Sequence, residues 1–128
     1  MKILLEKEFV EFNNIYSNNG KISFTEGNKI NVPEKVEYIV PGFIDQHIHG
    51  AISFDSMDND KEAIQKIAKG LLSEGTTSFL PTTMTYDLKV LGEVLTSIEE
   101  AKVDNDGAEI VGVHWEGPFI SKDFIGAQ

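Results

Sequence analysis

His47 and His49 stand two positions apart in PGFIDQHIHG, residues 41–50, behind a run that reads as a strand. Successive side chains of a strand alternate faces, so the two imidazoles point the same way, with Asp45 beside them and Ile44 and Ile48 opposite. Neutral imidazoles placed so can reach one divalent ion at about 2.0–2.1 Å, a distance typical of zinc, and Asp45 could support them from behind. An isolated His-x-His specifies little by itself, because histidine is common on surfaces as well as in metal sites. A second candidate lies in GVHWEGPFIS, where Glu116 closes an apolar run and is followed at once by Gly117 and Pro118. That pair turns the backbone away and leaves the carboxylate over the C-terminal edge of a sheet. A glutamate at a strand end is ordinarily a solvated loop residue; the apolar approach and the tight turn favour a functional one. His114 shares the face of Glu116 but lies deeper, and is read first as a packed histidine and second as a ligand. Trp115 faces the other way and reads as core against a helix. The threonines of EGTTSFLPTTMT fit strand propensity; they are assigned to packing and given no catalytic role.

The elements that must position these groups alternate in type. YIVPGFIDQHIH is a candidate strand, and DNDKEAIQKIAKGLLSEG sets Ile64, Ile67, Ala68, Leu71 and Leu72 on one helical face. Asp58 or Asp60 can cap the start of that helix and Gly75 its end. TTSFLPTT is a second strand, stopped by Pro81. A second helix follows, with Leu88, Leu91, Val94, Leu95 and Ile98 on one face and Thr85 or Asp87 as its cap. AEIVGVHWEG is the third strand, and the run Ile110, Val111, Val113 suits a strand buried on both faces. Strand centres near Ile44, Phe79 and Val111 are spaced at about the 30 or more residues of a βαβ unit, which predicts an α/β fold with parallel pairing. Either a doubly wound sheet or the opening of a (β/α)8 barrel fits. In a barrel, the C-terminal strand ends that carry His47, His49 and Glu116 are where functional groups gather. Residues 1–40 read instead as short antiparallel strands, with FVEFNNIY and KISF flanking SNNG, whose Asn-Gly tolerates the positive φ of a tight hairpin.

Composition narrows the function classes. A chain of 128 residues supports a core of its own but is short for most large enzyme folds. A net charge of -10 repels nucleic acid and anionic lipid, so neither is expected as a partner. No apolar run approaches the ~20 residues needed to cross a bilayer. With no cysteine there is no disulfide framework and no thiolate zinc site. The start, MKILLEKEF, lacks the apolar stretch of a signal peptide, and a cytoplasmic location is expected.

VPGFIDQHIHG, GTTSFLPTT and HWEGPFISKDFIGAQ, in this order and at these separations, resemble the amidohydrolase superfamily and, within it, the N-acetylglucosamine-6-phosphate deacetylase branch. The resemblance runs from about Tyr38 to Gln128 and is loose over residues 1–37. It implies that residues 41–128 are the opening three strands and two helices of a TIM-like (β/α)8 metal-dependent hydrolase barrel, and that residues 1–40 are part of a small β-sandwich domain. The implied reaction removes the acetyl group of N-acetylglucosamine 6-phosphate to give glucosamine 6-phosphate and acetate. By position, Glu116 matches the family's carboxylate ligand to the main catalytic metal. His47 and His49 match a pair that holds a second metal in some members and is replaced by amides in others. Ala127 matches a position whose backbone touches the sugar; Gln128 falls where some relatives have histidine, which leaves its role open. The resemblance further implies a divalent cofactor, zinc or iron, an amino-sugar phosphate as small-molecule partner, and a homodimer. Such an ion lowers the pKa of bound water toward about 7 and polarises the amide carbonyl. An acid must then protonate the departing amine; in the family this is an aspartate of a late barrel strand, expected beyond Gln128, so these 128 residues alone are expected to be inactive. A related hydrolase or deaminase acting on a cyclic amide or nucleobase is the alternative enzyme, and a non-catalytic structural fragment the alternative outside enzymes.

Overall fold

The computed structural model describes residues 1–126. The chain divides into two compact units, Met1–Pro41 and Gly42–Gln128. In the first, strands β1 (Lys2–Leu5) and β2 (Glu8–Glu11) form a hairpin, and β3 (Tyr16–Asn18) and β4 (Lys21–Ser23) form another. The second hairpin turns on Asn19 and Gly20, both at positive φ as the Asn-Gly signal requires. β5 (Asn28–Lys29) pairs with β3, and β6 (Tyr38–Ile39) lies parallel to β1. Ile3 and Ile15 are buried, and the rings of Phe12 and Phe24 stack with centroids 4.0 Å apart.

The expected strand from Tyr38 to His49 is two elements in two units, with Pro41 between them. Proline has no N–H to give a ladder, which is a physical reason for the break. The second unit opens with β7 (Phe43–Ile48), followed by a small hairpin of β8 (Gly50–Ala51) and β9 (Phe54–Asp55). Helix α1 (Lys61–Ser73), strand β10 (Thr76–Pro81), helix α2 (Leu88–Val103), strand β11 (Glu109–Ile110) and a short 3₁₀ turn at Lys122–Phe124 complete it. The sheet order is β11-β10-β7, and both pairings are parallel, as the alternation predicts.

Helix α1 begins where Asp60, in extended backbone, accepts a hydrogen bond from the Glu62 N–H at 2.9 Å. It ends where the N–H groups of Glu74 and Gly75 return to the carbonyls of Leu71 and Leu72. Asp87 caps α2 in the same manner through the Lys89 N–H, at 2.8 Å. Between these limits the predicted faces turn inward: Ile64, Ile67, Ala68 and Leu71 of α1 meet Val94, Ile98 and Ala101 of α2 over Phe79, Ala108 and Ile110. Fully burying a side chain such as Ile67 or Phe79 contributes about 1.5–3 kcal/mol, so this cluster is the principal source of the unit's stability. Lys69 Nζ reaches Asp106 Oδ2 at 2.6 Å, and that hydrogen bond holds the Asp106 carboxyl below its ordinary range. Its stabilising effect exists above the unfolded carboxyl's pKa and is lost as pH falls through the folded one; both groups are exposed, so it is small.

Three expectations fail at the margins of this core. Leu72 is 45% and Leu88 57% exposed, because each sits at the end of its helix, where the apolar stripe runs off the sheet. The third strand is regular only at Glu109–Ile110, and Val111 is 56% exposed: the helices cover one face of the sheet, so that strand is buried on one side and open on the other. Trp115, expected in the core, is 43% exposed and lies beyond the regular part of that strand.

Leu71 and Leu72 therefore separate packing from pattern. Leu71→Ala should destabilise the unit by about 2–5 kcal/mol. Leu72→Ala should cost about 1 kcal/mol or less. Urea unfolding of the two variants measures both; equal losses would mean that the helix is rotated from the orientation described.

Candidate metal centre

β7 delivers His47 near its end, and His49 follows it into the β8–β9 hairpin. The His49 carbonyl accepts from the N–H of buried Ser56 at 2.6 Å, which ties the start of that hairpin to its return. Glu116 arrives from the other flank of the sheet. Beyond β11 the chain stays beside β10: Val111 N–H donates to Phe79 O at 3.1 Å, His114 N–H to Pro81 O at 3.0 Å, and Thr83 N–H to His114 O at 3.1 Å. These bonds extend the parallel pairing to a bridge between Thr82 and His114 and carry Glu116 level with the end of β7.

Three side chains converge there. His47 Nε2 is 2.9 Å and His49 Nε2 3.3 Å from Glu116 Oε2. The two Nε2 atoms are 3.2 Å apart. His47 is half exposed, and His49 and Glu116 are partly buried. Two imidazole nitrogens and a carboxylate oxygen, all able to present lone pairs, thus face one small volume with their ligand atoms within 4.8 Å of one another. Borderline nitrogen donors with a hard oxygen suit zinc or a neighbouring first-row divalent ion. The residues present fit such an ion, and Glu116 would neutralise part of its charge.

The other sequence candidates fall into different places. Asp45 Oδ1 accepts from the backbone N–H of His47 at 3.0 Å, so it steadies the chain under the imidazole. His114 Nδ1 lies 3.0 Å from the Gln46 carbonyl, which can only accept, so Nδ1 carries the proton. Its ring lies 4.4 Å from that of His47, tilted by 36°, which agrees with a packed, hydrogen-bonded histidine. Ala127, the candidate sugar contact, and Gln128 lie outside the described residues. An open cleft of about 640 Å³ is lined by residues including Met57, Met84, Tyr86 and Val90. None of the three converging side chains lines it.

Sequence reasoning missed the threonines. Thr82 and Thr83 are fully buried, and their hydroxyls hydrogen-bond to Ile48 N–H and to both backbone groups of Glu116. The only signal was a pair of hydroxyls at a strand's C-terminal end, which β-propensity explains as well.

Gly117, at φ +75, turns the chain directly after Glu116. A Cβ there would collide with Thr85 Oγ1 and lie 2.9 Å from its Cα. Gly117→Ala combines left-handed strain with that clash and should cost about 1–3 kcal/mol. A melting midpoint within a degree of the parent's would show that the turn is built differently.

Residues 38–124 match the amidohydrolase family. The N-acetylglucosamine-6-phosphate deacetylase of Bacillus subtilis (strain 168) is 35% identical over 98% of this chain and 35% of its own length. The N-acetylgalactosamine-6-phosphate deacetylase of Escherichia coli O157:H7 is 30% identical over 99% of this chain and 34% of its own. Among solved structures, the N-acetylglucosamine-6-phosphate deacetylase of Thermotoga maritima is similar with a TM-score of 0.69 and 33% identity, over 88% of this chain and 30% of that one. The chain spans about a third of the length of the curated relatives it matches.

Proposed function

The chain belongs to the amidohydrolase family, and on that premise we propose that it forms the opening of a metal-dependent deacetylase acting on N-acetylglucosamine 6-phosphate. The products are glucosamine 6-phosphate and acetate. The observation that carries this is the convergence of His47, His49 and Glu116 on one point from opposite flanks of a parallel sheet. In architecture, β7, β10 and β11 with α1 and α2 are the first three strands and two helices of a (β/α)8 barrel, and residues 1–40 are part of a small β-domain. The likeness to the Thermotoga maritima deacetylase supports this. A cytoplasmic setting, a homodimer and contact of the Ala127 backbone with the sugar belong to the same proposal. Among the described residues no helix is long and apolar enough to cross a membrane.

His47 and His49 would offer Nε2 lone pairs and Glu116 a negative charge to a zinc or iron ion. When bound, such an ion lowers the pKa of coordinated water toward about 7 and polarises the amide carbonyl. Glu116 Oε2 neighbours both imidazoles, so the three groups keep a shared geometry whichever of them binds first. The amine leaving group needs a proton donor. In the resemblance that is an aspartate which no residue of this chain matches, so the 128 residues alone should not turn over. The Escherichia coli relative acts, by its name, on the galactosamine epimer, and that substrate is the second reading.

Zinc titration followed by calorimetry tests the metal assignment. Glu116→Gln, nearly isosteric but uncharged, should weaken binding at least about tenfold while leaving the far-ultraviolet circular dichroism unchanged. His47→Asn should weaken it less, since the resemblance implies that amides can stand at the paired positions. Equal affinity in the Glu116 variant would reject the assignment. A separate assay for amine release from N-acetylglucosamine 6-phosphate should read zero; turnover near an ordinary ~10 per second would show that these residues already hold a complete site.

A further inference from the structure

We propose that Thr83 is a positioning residue for Glu116, and that its hydroxyl sets the affinity of the metal centre without touching the metal. The inference rests on the assignment of His47, His49 and Glu116 as ligands. Thr83 Oγ1 accepts from the Glu116 N–H at 3.1 Å and donates to the Glu116 carbonyl at 3.3 Å. Both main-chain polar groups of the carboxylate-bearing residue are therefore held by one hydroxyl on a fully buried side chain.

The pairing pattern explains why a side chain is used. In a parallel ladder the N–H two residues after His114 would be received by a backbone carbonyl two residues after Pro81. At Glu116 the Thr83 hydroxyl is an acceptor for that N–H. The ladder thus gains a rung at the place where Gly117 turns the chain away. Thr82 does the corresponding work on the other flank: its hydroxyl accepts from Ile48 N–H at 2.9 Å, between the two histidines, and donates to Leu80 O at 3.2 Å. The bond to Ile48 lies just beyond the shift in the register of β10 against β7 between Phe79 and Pro81. Adjacent hydroxyls just beyond the end of the central strand thereby hold the histidine-bearing and the glutamate-bearing chain at one level.

Buried threonines usually just satisfy their hydroxyls on any nearby carbonyl. Here the partners are the backbone of a ligand residue and of the residue between two others. Support of this kind commonly changes metal affinity by about 10–100-fold.

The test compares Thr83→Val, which keeps the shape and removes the hydroxyl, with Thr83→Ser, which keeps the hydroxyl and removes a methyl. Each 128-residue chain is titrated with Co²⁺ alone and followed by its visible absorption, with the thermal midpoint recorded in parallel. Thr83→Val should bind cobalt about tenfold more weakly, and Thr83→Ser should recover to within about twofold of the parent. Equal binding by the valine variant overturns the inference, as does equal weakening in both variants, which would place the effect in packing. Failure of the parent to bind cobalt rejects the ligand assignment itself and this inference with it. Amide exchange on the parent gives a reading that does not depend on any variant folding. The Glu116 amide should be protected relative to the amide of exposed Phe119, and equal exchange would overturn the proposal.

Discussion

The hydrogen bonds at the C-terminal end of the central strand set the level at which everything else in the second unit stands. Thr82 N–H donates to Ile48 O at 2.9 Å on one side, while His114 N–H donates to Pro81 O and Thr83 N–H to His114 O on the other. Residues 47 and 116 are far apart in the chain, and no direct pairing of β7 with β11 exists among the described residues. Their side chains meet because both strands are registered to the same few residues of β10. Pro81 can stand there because only its carbonyl is asked for, and its lack of an N–H costs no rung. The helices pack on the far side of this strand through Phe79, so the strand that orders the core runs directly into Pro81, Thr82 and Thr83, which place the site.

Features that depend on local chemistry were legible in the sequence. Asp60 and Asp87 cap the helices because a carboxylate can reach the N–H two residues on, whatever the rest of the chain does. The Asn19-Gly20 turn and the inward faces of α1 and α2 follow from φ preference and a 3.6-residue period in the same way. The β8–β9 hairpin was not legible. It turns on Ile52 and Ser53, both at positive φ, where a β-branched residue is a rare choice. Ile52 lies against Gly70 of α1, so tertiary contact takes the place of turn chemistry. Exposure at the margins of the sheet was illegible for a related reason: Phe43, Ile44 and Val111 have the apolar character of covered residues, and nothing in a local pattern says what does the covering.

The candidate site divides along the same line. His47, His49 and Glu116 could be singled out because residue type and strand-end position are sequence properties, although their 2.9–3.3 Å approach is not. Asp45 was placed beside the imidazoles by alternation, yet its carboxylate turns back to the His47 N–H. A short acidic side chain two residues before an amide readily closes such a loop, and strand periodicity carries no information about it. The threonines were hidden more deeply. A buried hydroxyl that builds the sheet and one that supports a ligand have the same residue type, position and burial, and only the identity of the hydrogen-bond partner separates them.

A closed structural zinc site takes four protein ligands, whereas a catalytic one keeps a position for water or substrate. Here three protein donors come from two strand ends, and they lie on the sheet's C-terminal edge with His47 half exposed. His47, His49 and Glu116 would hold such an ion with fewer protein donors than a closed structural site uses, and the ion would supply a position for water. Glu116 Oε2 is the common neighbour of both imidazoles, at 2.9 and 3.3 Å, so the carboxylate is the group through which the three side chains come together.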